Sequence, residues 1–244
     1  MEEPFYPEFA PPRLREIKPF TQPTVSYALI AINVLIFLAQ VASQSLLGYD
    51  VLAALGSKVN DAIIHGQWWR LLTPMFLHGS ILHIGFNMYA LYVLGPNLER
   101  FYGARRYLLL YLLSGFSGNV FSFVFSTHPS LGSSTAIFGL LGAYGVFIYH
   151  NRALFGKTAR STLTNIVFVA VINFIIGLSP GIDNWGHLGG IIGGTAFSLM
   201  AGPVVLRLGL PPHVRIFDKR AVNDVVRTAS IILAVLIVIV YSRF

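Results

Sequence analysis

Cysteine is absent from the 244 residues, which excludes disulfides, thiolate metal sites and a cysteine nucleophile. Charge is scarce. Asp, Glu, Lys and Arg make up 11% of the chain, against about 25% in an average soluble protein. Acid is scarcer than base, 10 residues against 17, and none of the long apolar runs has an Asp or Glu in its core. With 55% hydrophobic residues and a mean hydropathy of +0.66, a disordered chain is excluded and a soluble globular domain is disfavoured. The first twenty residues hold Glu2, Glu3, Glu8 and Glu16 and no apolar core. We therefore expect no cleaved signal peptide and a retained first span.

What is present is a series of uncharged stretches. They run between Lys18 and Asp50 (core 25–42), Arg70 and Glu99, Arg106 and Arg152, Arg160 and Asp183, and Asp183 and Arg207. The Arg106–Arg152 stretch is long enough for two spans and breaks at Thr127-His128-Pro129-Ser130, a turn-like cluster. A bilayer span takes about 20 residues, so six spans follow. Residues 228–242 form a shorter seventh, which Val225 and Val226 lengthen if Arg227 snorkels to the interface. The expectation is an all-α polytopic membrane protein. Residues 1–24 form a cytoplasmic, disordered tail, 25–203 a six-span core, 204–227 a cytoplasmic linker, and 228–244 the seventh span with a short outer tail.

The basic residues orient it. Arg13, Arg15 and Lys18, then Arg100, Arg105 and Arg106, then Arg152, Lys157 and Arg160, then Arg207, Arg215, Lys219, Arg220 and Arg227 all fall on one side. Lys58, Arg70 and Arg243 fall on the other. The positive-inside rule puts the N-terminus in the cytoplasm and the C-terminus outside. The net charge of +7 is thus a topology signal, and nucleic acid is not expected as a partner. In the long first outer connection, Trp68, Trp69 and Arg70 read as an interfacial anchor, with Arg70 tying the loop.

Polar residues inside spans are costly and default to functional hypotheses. His83 and Asn87 share one face of span two, Ser134 heads span four, and His187 lies in the first turn of span six. The alternating topology places all of them in the outer half of the bilayer. A serine at a helix N-terminus, with an imidazole in reach, has the parts for acyl transfer. The imidazole takes the hydroxyl proton, and free amides stabilise the oxyanion, with His83 and Asn87 as further candidate donors. Gly186, Gly190 and Gly194 in span six, and Gly139, Gly142 and Gly145 in span four, are spaced for the close helix approach this requires. Taken singly, Ser134 reads as a helix N-cap, His187 as a satisfied interhelical histidine, and His83 with Asn87 as interhelical hydrogen bonding. Their joint depth favours catalysis. His78 reads as structural or water-organising. Asp183, four residues before His187, reads as an outer-loop residue and not a triad member.

Several motifs resemble the rhomboid family of intramembrane serine proteases. They are Gly132-Ser133-Ser134-Thr135-Ala136-Ile137-Phe138-Gly139, His187-Leu188-Gly189-Gly190 followed by Gly194, His83-Ile84-Gly85-Phe86-Asn87, Trp69-Arg70, and Glu99 with Phe101-Tyr102-Gly103-Ala104-Arg105. The similarity covers residues 25–203, and the seventh span resembles the six-plus-one form of the family. The resemblance implies a Ser134–His187 dyad, oxyanion contacts from His83 and Asn87, room made by Gly132, and packing of Phe138 on His187. No metal or cofactor is implied. The implied reaction is hydrolysis of a peptide bond in or next to the transmembrane helix of single-span substrates, at the lipid bilayer of a bacterial inner membrane. Thr135 departs from the small residue usual after the serine, and is expected to bear on the oxyanion or S1 pocket. Ser133 is the alternative nucleophile by register. The competing functions are a non-catalytic rhomboid-like client binder and a transporter. The second predicts internal repeats and intramembrane carboxylates, neither of which is evident.

Overall fold

Apolar residues face outward along the first long helix and polar ones inward. In α1 (Thr24–Leu47) the buried side chains include Ser26, Asn33 and Gln40, two turns apart, while Leu35, Leu38 and Leu46 are exposed. This is the polarity of a helix solvated by lipid. The computed structural model describes residues 15–17, 22–208 and 215–244. After α1 come α2 (Val51–Gly56), α3 (Asn60–Ile64) and two 3-10 turns, Trp68–Leu71 and Thr73–Phe76. Then follow α4 (Ile81–Tyr102), α5 (Ala104–Phe125), α6 (Ser134–His150), the short α7 (Arg152–Phe155), α8 (Thr158–Ile176), α9 (Asn184–Ala201) and α10 (Val222–Tyr241). The seven long helices are the expected six-span core plus a seventh, in an integral multi-pass membrane protein.

Four of them, α1, α5, α8 and α10, are long and apolar enough to cross a bilayer on their own composition. The other three carry the predicted site residues: α4 holds His83 and Asn87, the apolar but shorter α6 begins at Ser134, and the glycine-rich α9 holds His187. The centre of the bundle is α5, whose small residues Ser114, Gly115, Ser117 and Gly118 are buried and whose neighbours are α6 and α9. Those two helices meet backbone to backbone. A Cβ at Gly190 would collide with the Thr135 carbonyl, and one at Gly194 with the Gly139 carbonyl.

Two boundaries differ from expectation. The seventh helix starts at Val222, not 228, because Asp224 accepts a hydrogen bond from the Ala221 amide (3.1 Å) and caps the helix start. At 20 residues and about 1.5 Å per residue it is about 30 Å long, and it lays Val225, Thr228, Ile232, Leu236 and Val240 against the bundle. The terminal tail and the linker also hold regular structure. Strands β1 (Arg15–Glu16), β2 (Val205–Leu208) and β3 (Arg215–Asp218) form an antiparallel sheet of order β1-β3-β2, with Arg15 opposite Asp218. The disordered-tail reading is thereby corrected at Arg15–Glu16, while residues 1–14 and 18–21 lie outside the described residues.

The sheet is held by buried charge at the end of the bundle away from Ser134. Asp218 pairs with Arg106 at 2.8 Å and accepts the amides of Val204 and Arg220. Arg15 donates to the carbonyls of Phe101 and Tyr102 at the end of α4. At the same end of α4, in its last turn, Glu99 accepts hydrogen bonds from the amides of Val25 and Ser26 (2.9 and 2.7 Å). A carboxylate thus sits at the positive start of α1. We predict that Asp218→Ala, which strands Arg106 as a buried unpaired cation, lowers stability by about 3–5 kcal/mol, read from denaturant unfolding in detergent. A second prediction concerns the α6–α9 contact. Gly194→Val must push the two backbones apart, at a cost of about 1–3 kcal/mol or more for overpacking, seen as a lowered thermal midpoint.

Candidate active site

Ser134 is the first residue of α6, and the preceding loop is gripped from both sides. The outer connection pairs with it through Lys58 and Ser130, whose backbones exchange hydrogen bonds of 2.9 and 3.1 Å. The Gly132 amide donates to the Pro74 carbonyl (2.9 Å). Gly132 has φ +133°, a conformation that favours glycine. A Cβ there would also meet the His83 ring at 2.7 Å. The same point is 3.6 Å from Ser134 Oγ, so His83 and Ser134 border one gap across Gly132.

His187 reaches the serine from α9. Its Nε2 is 3.0 Å from Ser134 Oγ, the heavy-atom distance of a good hydrogen bond. Its Nδ1 is buried and has no hydrogen-bond partner. Asp183 does not fill that role. It caps α9, accepting the Gly186 amide through Oδ1 (2.9 Å). The ring is held by aromatic packing. Phe138, one turn after Ser134, stacks on His187 with centroids 4.1 Å apart and planes 9° apart. Phe174 of α8 sets its edge against both rings.

His83 and Asn87 share a face of α4, whose start is capped by Ser80. Asn87 is buried, and its Nδ2 donor has no partner. A buried amide donor without a partner is uncommon and requires an explanation. The structure therefore brings Ser134, His187, His83, Gly132 and Phe138 together, with Gly190 and Gly194 at the helix contact that makes this possible. Asn87 lies one turn along α4 from His83, with no hydrogen bond to any of them.

Ser133, the other candidate by register, points elsewhere. It is fully buried, 3.2 Å from His78 Nε2, and His78 in turn packs edge-on against His83. Thr135 also faces away from the gap, since its side chain fills the space left by Gly118 and Gly186. The expectation that it shapes an oxyanion or S1 pocket is corrected accordingly. A residue type at this position larger than glycine is accommodated by glycines on α5 and α9.

Sequence reading missed the supports of this loop. Lys58 is fully buried and its Nζ donates to Asn60 Oδ1 and to the carbonyls of Ser122, Ser126 and His128. Asn60 donates to Phe123 and Ser126 carbonyls. The only sequence signal was a lone lysine on the side poor in cations. Arg70 acts as expected, tying the outer connection through Gln67 Oε1 and the Ser57 and Ala54 carbonyls. Trp68 packs on Tyr241 and Phe244 of the C-terminal end, so the interfacial pair also meets the seventh helix.

The family profile described as Rhomboid domain matches residues 65–204. The chain belongs to the rhomboid family. It is 42% identical over 209 residues to the Rhomboid protease GluP of Bacillus subtilis (strain 168), covering 85% of this chain and 39% of that one. It is 36% identical over 155 residues to RHOMBOID-like protein 9, chloroplastic, of Arabidopsis thaliana, covering 63% and 36%. It is also 36% identical over 160 residues to Rhomboid-type serine protease 2 of Emericella nidulans, covering 62% and 31%. The chain thus spans between about a third and two fifths of the length of these rhomboid relatives.

Lys58 gives this rhomboid fold a pH dependence outside its spans. Burial pushes its ammonium group down from the usual 10.5 to about 8, against the pull of Asp183. Between those values the unfolded chain binds more protons than the folded one, so stability rises as pH is raised through that window. Unfolding midpoints measured from about pH 7.5 to 9.5 should rise more steeply in the wild type than in Lys58→Met.

Proposed function

We propose that this chain is an intramembrane serine endopeptidase working through a Ser134–His187 dyad. The observation that carries the reading is the 3.0 Å contact between Ser134 Oγ and His187 Nε2 inside a bundle of lipid-facing helices. Relatives named as rhomboid proteases support the same chemistry.

In this reading Ser134 Oγ attacks the scissile carbonyl while His187 Nε2 takes its proton. The imidazolium then returns the proton to the leaving amine. Water, deprotonated by the same nitrogen, hydrolyses the acyl-enzyme. Lacking a carboxylate on Nδ1, the histidine is oriented by Phe138 and Phe174. The oxyanion forms at the start of α6, where free amides and the helix dipole favour negative charge. His83 borders that gap and Asn87 has a spare donor. Both are assigned as oxyanion ligands beside the Ser134 amide, and Gly132 leaves the space. Substrates are membrane proteins, single-span ones in the simplest case, cut in or beside the transmembrane helix. In this reading the cation-rich end and the N-terminus face the cytoplasm, in keeping with the positive-inside rule, with Ser134 in the outer half of a bacterial inner membrane and the C-terminus outside.

Proteoliposomes carrying a single-span substrate test this. Ser134→Ala and His187→Ala should each abolish cleavage. Asn87→Ala should slow it by about 100- to 1,000-fold, the effect of losing one oxyanion donor. Ser133→Ala should keep cleaving and lose about 1 kcal/mol of stability with its hydrogen bond to His78. Full activity in His187→Ala would defeat the dyad, and loss of activity confined to Ser133→Ala would move the nucleophile by one residue.

A further inference from the structure

A groove of about 770 Å³ opens between the end of α6, α7 and the first turns of α8, at the end of the bundle opposite Ser134. Its walls have two characters. Leu163 and Val167, one turn apart on α8, line it with Ala159. Arg152 and Arg160 line it as well, both exposed, and the Arg152 guanidinium lies over the Tyr149 ring at 5.6 Å. Neither arginine is among the ion pairs of the described residues. The sequence explains why. From Phe101 to Ile182 there is no Asp or Glu at all, and Lys157 adds a third cation just before α8.

Depth narrows the choice of counter-ion. The 17 residues of α6 cover about 25 Å from Ser134 to this end, close to the hydrocarbon thickness of about 30 Å. The two guanidinium groups therefore stand at the headgroup layer, where the abundant anion is phosphate, and a planar guanidinium fork matches phosphate oxygens bidentately. The apolar half of the groove has no use for a free anion. It runs from the arginines along Leu163 and Val167, on a helix whose span is only 6% buried, and so continues toward the bilayer core.

We propose that this groove binds one anionic glycerophospholipid, its phosphate between Arg152 and Arg160 and an acyl chain along Leu163 and Val167. The lipid completes the packing of α8, which otherwise rests chiefly on α6.

The purified full chain in a non-ionic detergent is titrated with phosphatidylglycerol, phosphatidylcholine or inorganic phosphate. Bound lipid is counted by native mass spectrometry and the thermal midpoint is followed in parallel. Phosphatidylglycerol should be retained and should raise the midpoint. Its affinity should fall at least about tenfold in Arg152→Ala/Arg160→Ala, which lacks both phosphate contacts. It should fall equally in Val167→Trp, which blocks the apolar half and keeps both charges. If the arginine variant fails to fold, Val167→Trp decides alone. Equal retention of phosphatidylcholine, full displacement of the lipid by inorganic phosphate, or wild-type binding in Val167→Trp would each overturn the proposal.

Discussion

Between α6 and α9 the carbonyls of Thr135 and Gly139 lie where side chains of Gly190 and Gly194 would otherwise stand. In a bilayer there is no hydrophobic gain in pressing two apolar helices together, so their approach depends on backbone contact and dispersion. This contact also sets the distance between Ser134 and His187. Ser134 and His187 sit one turn or less from it on their respective helices, and a hydrogen bond of 3.0 Å tolerates little displacement. Gly118 of α5 belongs to the same packing, because it makes room for Thr135 directly after the serine.

The contact also explains how polarity is distributed through the molecule. Of the site helices, α4 and α9 carry glycine, histidine and asparagine, while α6 stays apolar behind Ser134. Three buried charges elsewhere are paired in ways that lock elements to one another. Glu99 joins α4 to the start of α1, Asp218 joins the small sheet to α5 through Arg106, and Lys58 joins the outer connection to the end of α5 and the serine loop. Each is a charge satisfied by partners distant in sequence, the arrangement expected where an unpaired ion would be costly.

The order of spans, the side on which cations gather, and the small set of polar residues at membrane depth were legible because each is a property of composition along one line. The start of α10 was not. Six residues containing Asn223, Asp224 and Arg227 read as linker, and the helix there depends on a local cap and on burial of Val225. The sheet was equally hidden, since β1 has two residues and is defined only by its pairing with β3. The triple hydroxyl run 133–135 was the hardest case. All three side chains are chemically similar, and only the register of Ala136-Ile137-Phe138-Gly139 against the rhomboid motif favoured Ser134 over Ser133.

The sequence by itself determined that this is a multi-pass membrane protein with its cations gathered at one end, and its motifs named Ser134, His187, His83 and Asn87 as candidates through their resemblance to the rhomboid family. The spans and the charge asymmetry follow from hydropathy and residue type along one line, which need no third dimension. The tertiary structure alone decided that Phe174 joins Phe138 against the His187 ring and that Asp183 caps α9 through the Gly186 amide. It also decided that Thr135 turns toward glycines, that Lys58 is buried among carbonyls, and that Arg152 and Arg160 share a groove. Hydrogen-bond and packing partners are chosen by distances of a few ångströms between segments far apart in the chain, and those distances exist only once the helices have packed.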